Sequence, residues 1–398
     1  MDQLALLPAT TERLRQELEI CSSLAAVLQA VRGSAAPEAG NTYARARELW
    51  EQLGSPSEFL RVPYGQSVFH MNRGELDQAL RLDEDLLRLS RQRNDSGGLV
   101  LGHLSSGRTL FFVGKFVPSR SHLEEVLPLY DPLSHGALVH QAGLEPRVVS
   151  NAVLGNVLFC LGYPDRALAH SSAAIAEARR LAHSPSLGVS LAIGARVLSL
   201  LGDNALLSDW VDQLVALTSA QGFAHWGAQG TIYRGWVKVK HGDGATGMAL
   251  LRSGSTAYRT TGAQGNMPYH IALLAAASEI AGQVEEGLTL LDNALAIVET
   301  TGERWLEAEL YRHKGQLQEQ QGHAGSAEEL YRKALSIAEE QEAKLWELRA
   351  AASIARLLRD QGRRAEARDL LEPIYGWFTE GFATPDLKET KALLDALA

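Results

Sequence analysis

No part of the chain alternates apolar and polar residues in the rhythm of a strand entering a hairpin turn. Small and large apolar positions instead return at fixed offsets from a recurring glycine. Gly162, Gly202, Gly242, Gly282, Gly322 and Gly362 are spaced 40 residues apart, and Gly74 and Gly114 repeat that step upstream. Seven residues before these eight glycines every side chain is small: Ser67, Gly107, Gly155, Ala195, Gly235, Ala275, Gly315 and Ala355. Five residues after them stand Ala79, Ser119, Ala167, Gly247, Gly287, Ala327 and Ala367, with Leu207 the one large exception. Nine residues after, large apolar side chains predominate: Leu123, Val211, Leu251, Leu291, Tyr331 and Leu371. A period of this length predicts stacked helical hairpins. In each, the glycine ends the first helix in a left-handed C-cap and the small residues let the two helices approach. The large residue then fills the space between units. Gly222, Gly262 and Gly302 form a second series halfway between.

The expected fold is all-α, a right-handed superhelical solenoid. Residues 1–54 read as an opening hairpin with helices at Thr11–Arg32 and Pro37–Leu53. About eight repeats follow over 55–378, and 379–398 cap the end with a helix at Asp386–Leu397. Helix starts are signalled by Ser55-Pro56-Ser57-Glu58, Ser326-Ala327-Glu328-Glu329, Ser184-Pro185 and Thr384-Pro385. One step is broken: Gly114 to Gly162 is 48 residues. The surplus, near 130–146, runs from Tyr130-Asp131-Pro132 to Gly143-Leu144-Glu145-Pro146 and is expected to be an extended surface loop with at most a helical turn. The aromatic segment from Tyr375 to Phe382 is expected to close the end of the core.

Composition narrows the function. The 398 residues are 45% hydrophobic and carry a net charge of −9, which argues against a general nucleic-acid surface. Cys21 and Cys160, far apart, offer neither a disulfide framework nor zinc spacing and suit a reducing cytosol. The opening residues lack a basic-then-apolar leader, and no run approaches 18 uninterrupted apolar residues. The expectation is a cytoplasmic protein with neither nucleic acid nor membrane among its partners. The phosphate-binding GxxxxGK[ST], the metalloprotease HExxH and the esterase GxSxG are all absent from the sequence. The twelve histidines are scattered, and His135 and His140 in the insertion have no carboxylate or cysteine at ligand spacing. No catalytic residue, metal site or cofactor is expected.

Tyr331, Ala334 and Leu335 after Gly322, with the small residues at these offsets, resemble the tetratricopeptide repeat in a long variant, similar to the sensor region of the bacterial maltose-regulon activator. Thr300 to Arg312, Leu358 to Leu371, and Ile374 to Phe382 with Thr384 to Lys388 resemble the C-terminal repeat region of bacterial adenylate/guanylate cyclases fused to a predicted ATPase. The inserted segment departs from that group at Gly143-Leu144-Glu145-Pro146. The resemblance implies that the first helix of each hairpin faces a concave groove. Asn156, Arg196, Gln229, Trp236, Tyr269, Glu279, Arg312, Gln316, Arg356 and Arg359 then point inward. Trp226, Tyr233, Trp236 and Tyr269 either line the groove or pack the core, core packing being favoured for at least half. Arg349, Arg356, Arg359, Arg363, Arg364 and Arg368 form a basic cluster interspersed with Asp360, Glu366 and Asp369. The function implied is a non-catalytic scaffold that binds a protein segment or small effector, regulating a cyclase–ATPase system whose catalytic domains are not in this chain. An ATPase or cyclase domain is a further candidate partner. The alternatives are a hydrolase or transferase with an unrecognised groove site, and a structural oligomerisation arm.

Overall fold

The computed structural model describes residues 10–33, 35–56 and 59–398. Among these are twenty helices and no strand. An opening hairpin, α1 (Thr11–Arg32) and α2 (Pro37–Gln52), precedes eight further pairs. These are α3 (Arg61–Asn72) with α4 (Leu76–Arg93), then α5 (Ser96–Phe112) with α6 (Phe116–Leu129). After the inserted α7 (Pro132–Ala142) come α8 (Pro146–Cys160) with α9 (Pro164–Arg180), and α10 (Ser184–Leu201) with α11 (Asn204–Gln221). The series continues with α12 (Ala224–Lys240) and α13 (Gly244–Thr260), α14 (Met267–Ile280) and α15 (Val284–Thr301), and α16 (Glu307–Gln320) and α17 (Ala324–Glu340). It ends with α18 (Lys344–Asp360) and α19 (Arg364–Gly376), closed by α20 (Pro385–Leu397).

The glycine ladder marks the turn inside each repeat. All eight glycines are left-handed, with φ from +73° at Gly282 to +88° at Gly162 and Gly242. The second series marks the turns between repeats, and Ala182 and Glu342 extend it in the same backbone conformation (φ +50° and +55°). The small positions are where helices touch. A Cβ on Gly235 would lie 2.8 Å from the Gly247 carbonyl oxygen and 2.8 Å from the Leu251 nitrogen. One on Gly315 would meet the Tyr331 ring at 2.7 Å and the Ala327 carbonyl oxygen at 3.2 Å. The residues seven before, five after and nine after the ladder glycine therefore form one contact point, repeated along the array.

Two of the expected helix starts are displaced. Ser55 is left-handed (φ +58°) and α3 begins only at Arg61. Ser57 and Glu58 of that capping signal lie outside the described residues. Ser326 is inside α17, which begins at Ala324 after His323, because the turn after Gly322 is short enough to start the helix earlier. Ser184-Pro185 and Thr384-Pro385 do open α10 and α20. The insertion is a three-turn helix rather than a loop. The Asp131 carboxylate caps it, accepting from Leu133 N (3.1 Å) and Ser134 N (3.2 Å), and left-handed Gly143 ends it. Leu138 is buried in the core while Leu133 is fully exposed.

The superhelix winds tightly enough for its later repeats to pack on its earlier ones. Gln264 N and Gly265 N donate to Asn72 O (2.8 and 3.0 Å), and Arg304 N donates to Phe112 O (2.8 Å). Arg349 Nη2 reaches Leu200 O at 2.7 Å. The aromatic segment after α19 folds back onto the third repeat. There Gly381 N donates to Asp165 Oδ2 (2.9 Å), Glu380 pairs with Arg166 (2.7 Å), and Trp377 lies 5.5 Å from the Tyr163 ring. Phe378 is buried and closes the core, whereas Trp377 and Phe382 stay partly exposed. By length and composition α10 is apolar enough to cross a membrane, although no uninterrupted apolar run marks it; 67% of it is buried inside the protein, so packing accounts for its character. With turn stacked on turn, the concave side becomes a recessed interior.

Candidate functional site

The inward stripe of each first helix can be counted from the ladder. Asn156, Arg196, Trp236, Gln316 and Arg356 all stand six residues before their glycine. Gln229 and Tyr269 stand thirteen before, Arg312 ten and Glu279 three, which places them on the same helical face. The structure distributes these nine residues over three environments.

Asn156, Arg196 and Gln229 line one interior cavity, walled by Val68, Met71, Phe111, Phe112, Val189 and Ile193. Its volume is about 90 Å³. A second chamber of about 140 Å³ adjoins it, lined by Tyr43, Tyr64, Pro185, Phe223 and Trp226. Val68, Arg108, Leu144, His225 and Trp226 border both chambers. Ala142, Gly143 and Leu144, at the end of the inserted helix, wall the second. The insertion thus contributes directly to the interior.

The polar groups of the first chamber are buried yet incompletely bonded. Asn156 Nδ2 donates to Ala152 O (3.4 Å) and Ile193 O (3.3 Å), which fixes its amide and leaves Oδ1 with no partner. Arg196 is 5% exposed, its Nε has no partner, and no described carboxylate lies within salt-bridge distance of it. The rings of Trp305, Phe111 and Tyr269 surround its guanidinium at 5.4, 5.8 and 5.9 Å. Asn266 Oδ1 is a third unpartnered atom at this wall. Burial, with the Arg108 charge adding, lowers the His225 pKa to about 4, so its imidazole is neutral. Arg108 itself bonds Tyr64 Oη at 3.4 Å. Arg108 is not among the inward residues expected from sequence, although it stands six residues before Gly114, in the register of Asn156 and Arg196.

Trp236 and Tyr269 sit in packed core. Tyr269 is 2% exposed and bonds Ser199 Oγ at 2.5 Å, and Tyr233 is buried beside it. Trp236 is largely buried under Lys240 (5.4 Å), with Nε1 unpartnered. Of the four aromatics proposed as a lining, Trp226 reaches the chambers.

The other four residues lie toward the C-terminal end. Three of them, Arg312, Gln316 and Arg356, line a groove of about 640 Å³ together with Arg349, Arg359, Asp386 and Glu389. Its charges are largely matched. Arg312 pairs with Glu309 (2.8 Å), Arg349 with Asp386 (2.9 Å) and Glu309 (3.3 Å), and Arg356 with Glu389 (3.3 Å). Glu279 accepts from His313 Nε2 (2.8 Å) and Gln316 Nε2 (2.7 Å) beside this groove. Arg359, Arg363 and Arg368 of the basic cluster pair with Asp360, Glu366 and Glu372. Among the described residues no group of three His, Cys, Asp or Glu could hold a metal ion.

Residues 269–340 and 348–373 match family models of the tetratricopeptide repeat. An uncharacterized protein of Rhizobium meliloti (strain 1021) is 24% identical over 218 residues, 54% of this chain and 21% of that protein, so the chain spans only about a fifth of its relative. Among solved structures, the fold is similar to a Rap protein complexed with Competence and Sporulation Factor, with a TM-score of 0.56 at 14% identity over 86% of this chain and 98% of that one. It is also similar to the apo form of the quorum sensor NprR from B. thuringiensis, with a TM-score of 0.50 at 11% identity over 91% and 98% of the two chains. The architecture is that of a tetratricopeptide-like helical-repeat scaffold.

Proposed function

We propose that this chain is a non-catalytic receptor module that holds a small effector or a protein segment inside its superhelix and thereby regulates a larger signalling protein. The observation that carries this reading is the first chamber. Three successive first helices, α8, α10 and α12, deliver Asn156, Arg196 and Gln229 to one buried space. Asn156 Oδ1 and Arg196 Nε have no partner there, and a core optimised for stability alone would satisfy or remove them, since an unmet buried polar atom costs about 1–3 kcal/mol. Two similar folds are consistent with it, one solved with Competence and Sporulation Factor bound and one described as a quorum sensor. The sequence resemblance suggests a cyclase and ATPase as the regulated domains, and the much longer R. meliloti relative fits a module within a large protein.

The test is affinity selection by the pure chain from a metabolite extract and a peptide library, read by mass spectrometry. The expected result is a retained compound that the variants Asn156→Leu and Gln229→Leu release. If the variants and the wild-type chain retain the same compounds, the interior is not the site. ATP or cyclase turnover by the pure chain above background overturns the non-catalytic assignment.

A further inference from the structure

Resting on the interior as the ligand site, we infer that its occupant is a small amphipathic carboxylate. Its anionic head is held by Arg196 and Arg108, it carries one N–H or O–H donor, and its apolar body is about the size of an aromatic ring.

The charge comes first. A buried guanidinium without a counter-ion is strongly unfavourable unless a partner arrives with the ligand. Glu303 is the carboxylate whose charge is felt at Arg196, and its oxygens are already committed to Asn266 N (2.9 and 3.1 Å) and Trp305 Nε1 (2.9 Å). The three aromatic rings around Arg196 partly offset the desolvation and the Tyr233 hydroxyl accepts a hydrogen bond from it, but none of these groups supplies a counter-charge. Arg108 borders the same chamber without an ion pair among the described residues, and neutral His225 lies beside it. Two guanidiniums at one small cavity match a carboxylate, whose two oxygens accept several charge-assisted hydrogen bonds.

The donor and the body follow from the rest of the wall. Asn156 Oδ1 and Asn266 Oδ1, on wall residues, are acceptors without donors that have almost no accessible surface, so a head group bringing an N–H or O–H as well as negative charge completes them after a small side-chain shift. The second chamber, walled by Tyr43, Tyr64, Phe223, Trp226 and Leu144, measures about 140 Å³. An apolar cavity of about 150 Å³ holds a benzene ring. The inserted α7 thus helps set the size of the body through Leu144.

The same chemistry is offered by a free arylalkanoic acid and by the C-terminal residue of a short peptide. Calorimetry on the full chain would compare indole-3-acetate, N-acetyl-phenylalanine and a tetrapeptide ending in phenylalanine, each as the acid and as the amide. The acids are expected to bind and the amides to bind at least about tenfold more weakly. The tightest acid identifies the source. Arg196→Met is expected to abolish acid binding while raising the melting temperature of the unliganded chain, because it removes an uncompensated buried charge. Arg108→Gln, at a half-buried position that tolerates a polar side chain, is expected to weaken binding by roughly tenfold. Equal binding of acid and amide, unchanged binding in Arg196→Met, or no acid bound at millimolar concentration overturns the inference. In those cases the interior itself still stands as a binding site if Asn156→Leu and Gln229→Leu release the compound selected from extract, and falls only if they retain it.

Discussion

The buried polar side chains behind the interior wall also carry a stability cost, and Glu303, which accepts from Asn266 N, shows it most directly. It is 1% exposed, and burial pushes its pKa up to about 7 in spite of the hydrogen bonds from Trp305 and Asn266 and the nearby Arg196 charge. In the unfolded chain this carboxyl titrates near 4.5. Between those values the folded protein keeps a proton that the unfolded chain has released, so stability falls as pH rises through the window. The displacement is worth on the order of 3 kcal/mol at full ionisation. Asp83 acts in the same direction, since burial raises it to about 6 although Ser67 and Thr109 donate to it. Glu303→Gln keeps an acceptor for Asn266 N and removes the titration. Urea unfolding at pH 5 and pH 7.5 is therefore expected to show a smaller loss in the variant than in the wild-type chain. Equal losses in both would mean that Glu303 does not titrate in this range.

At the level of the hairpin, sequence and structure agree where a single contact is repeated. The atoms nearest a Cβ on Gly235 are the Gly247 oxygen, the Leu251 nitrogen and the Leu250 Cβ, which cannot swing aside, so Gly235→Ala is expected to cost about 1–3 kcal/mol by overpacking α12 against α13. Gly325 is helical with open space around it, and Gly325→Ala is expected to be neutral or to stabilise by up to about 1 kcal/mol. Thermal unfolding of the two variants checks the pair; similar shifts would show that close approach is not what the small positions serve. The ladder was legible because every repeat meets the same steric demand at the same offsets. The opening hairpin was legible too, apart from one residue at the end of α2. The inserted helix was missed although Asp131-Pro132 and Gly143 are its start and stop signals, because it lacks the register marks of its neighbours. Arg108 was missed for the opposite reason: its register position was available but was not carried back across the insertion. The enclosure of the site had no local signal at all. It depends on Asn72 meeting Gln264 and Phe112 meeting Arg304, pairs that are 192 residues apart in sequence.

That long-range stacking turns a groove into a cavity, and Arg349 is the side chain that spans most of it. From α18 it bonds Leu200 O on α10, pairs with Asp386 on the capping helix, and reaches Glu309 on α16. Glu309 is largely desolvated, which would raise its pKa, yet the guanidiniums of Arg312 and Arg349 hold it down at about 2. Its contribution is present above the unfolded value near 4.5 and is lost as pH falls toward 2. Removing one partner of a fully buried ion network costs about 3–5 kcal/mol, and this one, partly exposed at the groove, is expected to fall at about 1–3 kcal/mol. Arg349→Met is therefore expected to destabilise the chain by that order and to move its acid unfolding to higher pH. The same variant discriminates a clasp from a local salt bridge. If Arg349 ties the last repeats to the fourth, amide exchange is expected to accelerate both in Pro385–Leu397 and in the distant Ser184–Leu201, which carries Arg196. Acceleration confined to the capping helix would mean that the superhelical turns are held by their backbone contacts alone, and that the chamber keeps its shape independently of its C-terminal end.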